Sequence, residues 1–322
     1  MASEMRAALY DGYGPPEVLY EGRVPKPAPG PGEVLVRVRT ASVNGGELLA
    51  RSGRMRLVAA LTGRGFPKRT GLDYAGEVAA VGPGVSGFGT GDRVWGVMPR
   101  TFGSAAEFVA VPAERLAPAP AGIDPVQAAA LPAVGTTALI ALRDKARLQA
   151  GEWLLVRGAA GGVGSVAVQL GRAYGAHVTA LARAAHLGFV RDLGADEAYD
   201  YARTDAADLG PFDVVLDTVG TRLGDYRGLL TRTGRMVAIA FDSERALASL
   251  SSILGSAVFG SRRIRFFSGN PGSELLAELT RLTESGAVRP VVDGVFPLAD
   301  IAGAHRTLEA GGVRGKVVVA VA

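Results

Sequence analysis

The sequence predicts an α/β protein in two parts, a doubly wound parallel sheet and an irregular, barrel-like β domain. Three observations predict it. From Glu152 onward the chain repeats strand, glycine-rich turn and helix, the rhythm of βαβ units. The stretch before about residue 120 instead alternates apolar and polar residues between Pro and Gly turns, as half-buried antiparallel strands do. At 322 residues the chain is longer than one ordinary core and suits two.

The elements follow in order. EVLVRVRTASVN (33–44) alternates as a half-buried strand should, and YAGEVAAVGPGV (74–85), GDRVWGVM (91–98) and AEFVAVP (106–112) repeat the pattern. AGIDPVQAAALPAVGTTALIAL (121–142) changes the texture to helix. Strands are then expected at 152–157, 177–181, 197–200, 212–217 and 234–240, with helices at 162–174, 184–193 and 222–230. Arg265-Phe266-Phe267 offers a sixth strand. A helix (273–285), a strand (291–296), a helix (299–310) and a closing strand, GKVVVAVA (315–322), complete the chain. The parallel sheet is finished without these last elements, so they are expected to return to the first domain. The expected domains are therefore 1–124 with 268–322, and 125–267.

Composition excludes several classes. A hydrophobic share of 48% with 20% charged residues belongs to a folded chain, not a disordered one. With no cysteine there is no disulfide, zinc finger, iron–sulfur cluster or thiol nucleophile. A net charge of +4, spread apart from clusters such as Arg262-Arg263-Ile264-Arg265, does not point to nucleic acid. LASLSSILGSAVFG (247–260) is too short and too rich in Ser and Gly to span a bilayer, and MASEMRAALYDGYG has no signal-peptide core. A cytoplasmic protein without membrane insertion is expected.

RGAAGGVGS (157–165) sits between an apolar run and a helical pattern. Gly158, Gly161, Gly162 and Gly164, with Val163 among them, follow a strand and open a helix, which is the setting of a phosphate cradle. Their spacing, Gly-x-x-Gly-Gly-x-Gly, departs from the plain dinucleotide fingerprint. A site for NAD carries an acid about 20 residues on, for the ribose hydroxyls. Here AHVTALARAAHLGFVR (176–191) holds no acid and offers Arg183 and His186 instead. A guanidinium there suits a 2′-phosphate, so NADPH is the expected cofactor. The competing reading of Arg183 is a solvated residue at a strand end.

The order of parts resembles the medium-chain dehydrogenase/reductase superfamily, and within it the zinc-free quinone oxidoreductase and enone reductase branch. The resemblance rests on SVNGGELLARSG (42–53), GLDYAGEVAAVGPGV (71–85), GDRVWG (91–96), AAALPAVGTTALIAL (128–142), GAAGGVGSVAVQLGRAYGAHV (158–178), LGADEAYDY (193–201), DVVLDTVG (213–220) and GKVVV (315–319). It implies a Rossmann sheet beside a GroES-like catalytic domain. It implies no zinc, because the first Cys of zinc-dependent relatives falls on Asn44 and their His on Leu72, and the four-Cys lobe has no counterpart between Trp95 and Val111. The three histidines, His177, His186 and His305, share no ligand spacing.

Loss of that Lewis acid disfavours alcohol oxidation. It favours hydride transfer to a polarised acceptor, a quinone or the C=C bond of an α,β-unsaturated ketone. The resemblance sets Asn44 beside the nicotinamide as a hydrogen-bond donor, against the alternative of a residue that caps the NGG turn. Tyr74 is a second donor or else core, and Asp73 an orienting residue. Leu49 stands where many relatives carry Tyr, which argues against a Tyr-assisted mechanism. On the cofactor side the resemblance implies Thr136 near the nicotinamide and phosphates, and Arg183, His186 and Tyr201 around the 2′-phosphate. Gly220 and Ala240 would line the groove, with Asn270 and Lys316 as further contacts. It also implies a homodimer paired along RIRFF (263–267). Two rivals stay open: an enoyl-thioester reductase using RSGRMR (51–56) as a basic patch for an acyl carrier, and an NADPH-binding sensor that turns over nothing.

Overall fold

The chain opens with an antiparallel pair, β1 (Glu4–Tyr10) and β2 (Tyr20–Pro25). In β3 (Glu33–Ser42) the alternating Val34, Val36 and Val38 are fully buried, each such side chain contributing about 1.5–3 kcal/mol by leaving water. The short helix α1 (Gly45–Arg51) follows, and β4 (Lys68–Arg69) joins β1 to make a three-stranded sheet. Next come β5 (Asp73–Val81), β6 (Arg93–Val97), β7 (Phe108–Pro112) and β8 (Leu116–Pro118). β3 pairs antiparallel with β5 and β7, β5 with β6, and β6 with β8. Register shifts between Leu35 and Val36 and between Val38 and Thr40 bend the β3–β5 ladder, which is the irregularity expected of this part. The computed structural model describes residues 3–56, 65–98, 102–240, 263–267 and 269–322.

The helical texture of 121–142 resolves into α2 (Pro125–Ala129) and α3 (Pro132–Leu139), the latter running on as wider turns over Ile140–Ala146. Asp124 starts α2 by accepting the Gln127 N–H at 2.7 Å, with Pro125 at the first helical position. The break falls at Pro132, whose nitrogen has no hydrogen to continue the ladder.

A six-stranded parallel sheet comes next. Its parts are β9 (Trp153–Arg157), α4 (Gly162–Ala173), β10 (His177–Ala182), α5 (Leu187–Asp192), β11 (Glu197–Asp200), β12 (Phe212–Asp217), α6 (Leu223–Gly228), β13 (Leu230–Ala238) and β14 (Ile264–Phe266). The strand order is β11-β10-β9-β12-β13-β14. The chain steps outward one way from β9 and the other way from β12, so the order reverses between these two strands. Leu155, Val215, Met236 and Ala238 form the core on one side. The expected sixth strand is present as an edge, and the apolar stretch 247–260 lies outside the described residues.

The chain then returns to the first part. α7 (Ser273–Glu284), β15 (Val292–Pro297), α8 (Ile301–Ala310) and β16 (Lys316–Ala320) complete it. β16 pairs parallel with β15 and antiparallel with β3, giving a seven-stranded sheet whose core includes Val36, Tyr74, Val78, Leu116, Val317 and Val319. The two units are Met1–Ala133 with Asn270–Gly286 and Pro290–Ala322, and Val134–Gly269 with Ala287–Arg289. The first boundary lies later than the expected 124/125 because α2 packs on β3 and β5 and stays with the first unit. Among the described residues no helix is long and apolar enough to cross a membrane.

Candidate active site

In the first unit the polar groups gather where β3 ends and α1 begins. Asn44 is the N-cap of α1, and Glu47, three residues on, accepts the Asn44 backbone N–H at 3.1 Å. Around the Asn44 carboxamide three charged groups converge. Its Nδ2 donates to Asp73 Oδ2 at 2.7 Å and to Glu47 Oε1 at 3.1 Å, while its Oδ1 accepts from Lys316 Nζ at 2.6 Å. An ammonium can only donate and these carboxylates accept, so the amide orientation is fixed by its neighbours. Lys316 also donates to the Val43 carbonyl at 2.8 Å and lies 3.4 Å from Asp73 Oδ2. Asp73, 0% exposed, accepts further from Ser42 Oγ at 2.6 Å and from the Ala133 N–H at 2.5 Å.

A second buried layer supports this hub. Glu47 Oε2 accepts from Thr70 Oγ1 at 2.6 Å and from the Gly71 N–H at 2.7 Å. Burial pushes the Glu47 carboxyl up, while Thr70, Asn44, Gly71 and the Lys316 charge pull it back. Burial likewise lowers Lys316, against the pull of Asp73 and Glu47. Thr70 spends its hydrogen on Glu47, so the long 3.4 Å contact from His305 Nε2 is a donation to Thr70 Oγ1. His305 Nδ1 is buried without a partner among the described residues, and burial, with the Arg51 charge, takes the ring down to about 3. Arg51, 1% exposed, donates to the Gly14 carbonyl at 2.6 Å and pairs with Glu309. It is therefore not part of a surface patch, and RSGRMR loses its first cation as an acyl-carrier dock.

In the second unit the glycine turn joins β9 to α4. Gly158 has φ +70°, the left-handed region that favours glycine. A Cβ on Gly164 would stand 2.2 Å from the Gly158 carbonyl oxygen, so only glycine closes the turn this tightly. Ser165 makes the first intrahelical bond, to the Gly161 carbonyl at 2.8 Å. The N–H groups of Gly162, Val163 and Gly164 precede it and point out of the helix end with the positive end of the dipole. This cradle fits a pyrophosphate.

At the carboxyl end of the neighbouring β10, exposed Arg183 donates from Nε to the Tyr201 hydroxyl at 3.0 Å. A hydrogen bond thus joins two of the residues that the resemblance grouped around the 2′-phosphate, eighteen positions apart in sequence. His186 ends the short turn that follows Arg183 and is half-buried. Thr136 is 1% exposed in α3, Gly220 has φ +87° in the loop after β12, and Ala240 follows β13.

One expectation changes. Tyr74 is 0% exposed in the core, its hydroxyl donating to the Arg115 carbonyl at 3.3 Å, and burial raises its phenol well above the ordinary value. It is a packing residue. Asn270 accepts from Arg115, through its carbonyl at 3.2 Å and its Oδ1 at 2.8 Å. Lys316 sits in the first unit as the partner of Asn44. Sequence reasoning passed over Glu47 and the pair Arg157–Asp217. The Asn-x-x-Glu spacing of a capping box marks the first. The Asp-x-x-Gly of an Asx turn marks Asp217. Among the described residues no group of three or more His, Cys, Asp or Glu side chains is arranged to hold a metal ion.

A parallel sheet with a glycine cradle at its order reversal defines a nucleotide-dependent oxidoreductase fold. Residues 30–121 match the family described as the alcohol dehydrogenase GroES-like domain, and residues 193–319 the one described as zinc-binding dehydrogenase. The chain belongs to the medium-chain dehydrogenase/reductase superfamily. Within it, the chain is 34% identical to 2-methylene-furan-3-one reductase of Solanum lycopersicum, over 98% of this chain and 79% of that one. It is likewise 34% identical to the chloroplastic NADPH-dependent alkenal/one oxidoreductase of Arabidopsis thaliana, over 98% and 79%. The quinone oxidoreductase structure from Coxiella burnetii superposes with a TM-score of 0.89 at 30% identity, covering 99% of this chain and 100% of that one.

Proposed function

We propose that this protein transfers hydride from NADPH to a quinone or to the C=C bond of an α,β-unsaturated ketone, without zinc. The observation that carries the cofactor choice is the Arg183–Tyr201 pair at the acid-free end of β10, beside the glycine turn. A guanidinium and a phenol donate to a 2′-phosphate, whereas an acid in that place would repel it. The name of the Arabidopsis relative supports the same cofactor, its name and that of the tomato relative support an enone acceptor, and the Coxiella neighbour supports a quinone.

The donor set around Asn44 does not suit the zinc of the family description. A catalytic zinc takes about three protein ligands. Asn44 and Leu72 replace the Cys and His of zinc-dependent relatives, and the space at the hub holds an ammonium, which repels a cation.

NADPH, when bound, supplies the hydride. The N–H groups of Gly162, Val163 and Gly164 would hold the pyrophosphate, with Gly158 and Gly161 closing the turn that aims them, and Arg183 and Tyr201, with His186 near by, would hold the 2′-phosphate. Thr136, Gly220 and Ala240 contribute to the groove. Asn44 donates to the oxygen on which negative charge develops, a role worth about 3 kcal/mol for a well-aimed donor. The amide starts with both Nδ2 hydrogens engaged. Its bond to Glu47, at 3.1 Å, is longer than the bond to Asp73 at 2.7 Å and shares Oε1 with the Asn44 N–H. That is the bond an acceptor oxygen takes over. Lys316 on Oδ1 polarises the amide and makes it the better donor. Edge pairing along β14 would make the protein a homodimer, measurable as its mass in solution.

The test is NADPH consumption with simple quinones, short and long alkenones and an enoyl thioester, repeated with NADH. Reduction of quinone or alkenone with NADPH preferred supports the proposal. Turnover of the thioester alone favours the acyl-thioester rival. Binding of NADPH without turnover of any acceptor leaves the sensor reading.

A further inference from the structure

The reversal of strand order between β9 and β12 is bridged by two charged residues that the mechanism above does not use. Arg157 ends β9 and Asp217 ends β12; they are partners in the strand ladder, 6% and 0% exposed. Arg157 Nη1 donates to Asp217 Oδ2 and also to the Thr221 carbonyl at 2.8 Å. Its guanidinium lies 3.6 Å over the Tyr226 ring of α6. The other carboxylate oxygen, Asp217 Oδ1, accepts the N–H groups of Val219 at 2.9 Å and Gly220 at 2.6 Å. The loop 218–221 is thus tied at both ends.

It is also tied to the glycine turn. Thr218 Oγ1 donates to the Arg157 carbonyl at 2.7 Å. It sits 2.3 Å from where a Cβ on Gly158 would stand. The residue that opens the cradle and the residue that opens the next loop are therefore held in register by one buried ion pair. A ligand of a doubly wound sheet lies outside the carboxyl ends of the strands at this reversal. Two buried charges are costly to desolvate, and an apolar pair would fill the space as stably. What an apolar pair would lack is direction: Asp217 aims two N–H groups and Arg157 anchors one carbonyl.

We propose that Arg157 and Asp217 are positioning residues for the nucleotide: they clamp the loop 218–221 against the Gly158 turn and set the spacing of the two walls that receive the dinucleotide. They act through the backbone and touch no ligand themselves. This rests on the NADPH reading above.

The test compares wild type with Arg157→Lys, which keeps the cation but loses the planar guanidinium stacked on Tyr226, and with the double variant Arg157→Met/Asp217→Leu, which removes the charged pair and the carboxylate acceptor without leaving either charge alone. NADPH affinity is read by fluorescence titration of the folded proteins, and amide hydrogen exchange by segment. Both variants are expected to raise the NADPH dissociation constant roughly tenfold, about 1.4 kcal/mol. They are also expected to speed exchange at Val219 and Gly220 and to leave the KM for the acceptor unchanged. Wild-type affinity and protection in folded Arg157→Lys and in the double variant overturn the clamp while the NADPH reading stands. Wild-type protein that binds no NADPH overturns that reading, and the clamp with it. Exchange at these amides needs no nucleotide, so unchanged protection counts against the clamp in either case.

Discussion

Replacing Lys316 with Met tests whether the Asn44 hub is an electrostatic unit or a set of incidental contacts. Methionine fills the volume of the lysine stem and removes only the ammonium. Two acceptors then lose their donor, Asn44 Oδ1 and the Val43 carbonyl. Each such loss costs about 1–3 kcal/mol when the group stays buried. Asp73 also loses its counter-charge, a change that costs about 3–5 kcal/mol where nothing else compensates. Here Ser42, Asn44 and the Ala133 N–H still donate to it, and the desolvation of Lys316 itself is relieved. The net loss is therefore set near the low end, about 3 kcal/mol. Asp73→Asn alone strands the buried ammonium. The double variant should cost less than the sum of the singles, by about 1–2 kcal/mol. The chain has two tryptophans, and in a Trp153→Phe background the buried Trp95 reports unfolding of the first unit in urea. A loss under about 0.5 kcal/mol, or singles that simply add, refutes the coupled hub.

Other predictions follow from the same geometry. Gly164→Ala drives a Cβ into the Gly158 carbonyl at 2.2 Å, so it should destabilise the second unit by about 1–3 kcal/mol and abolish NADPH binding; calorimetry and titration check both. Arg183→Glu should weaken NADPH by on the order of tenfold or more and leave NADH nearly unchanged; an unaltered ratio of the two dissociation constants would contradict the 2′-phosphate assignment. His305, lowered to about 3 when folded, makes its contribution in full above its ordinary value near 6.5. As pH falls from there towards about 3, the unfolded chain takes up a proton that the folded chain refuses, and up to about 5 kcal/mol is lost. His305→Gln should flatten that part of the stability–pH curve, since its amide still donates to Thr70 but does not titrate.

What could be read from the sequence depended on range. The period-two Val34-Val36-Val38 and the Gly158–Gly164 turn announce themselves locally, because a strand face and a tight turn are satisfied by neighbours in sequence. Arg183 and Tyr201 were each found, but their bond was not, since β10 and β11 align them only in the sheet. Lys316 reads only as a further cofactor contact implied by the resemblance, because nothing local says that β16 returns beside β3, 273 residues from Val43. Tyr74 shows the opposite failure: a phenol in a strand is equally a donor or core, and only burial decides. Arg157 and Asp217 close mostly apolar strands, and their pairing follows from the switch in strand order. A pattern of residues did not reveal that.

The central claim is hydride transfer to an activated acceptor, and isotope transfer tests it most directly. NADPH fully deuterated at the nicotinamide C4 is incubated with wild-type protein and the alkenone that is reduced fastest, and the product is examined by mass and by NMR. The account predicts one deuterium per turnover on the carbon β to the carbonyl, with the α-hydrogen drawn from water. Product reduced without label at that carbon, or labelled NADPH left unconsumed by every alkenone and quinone, contradicts it.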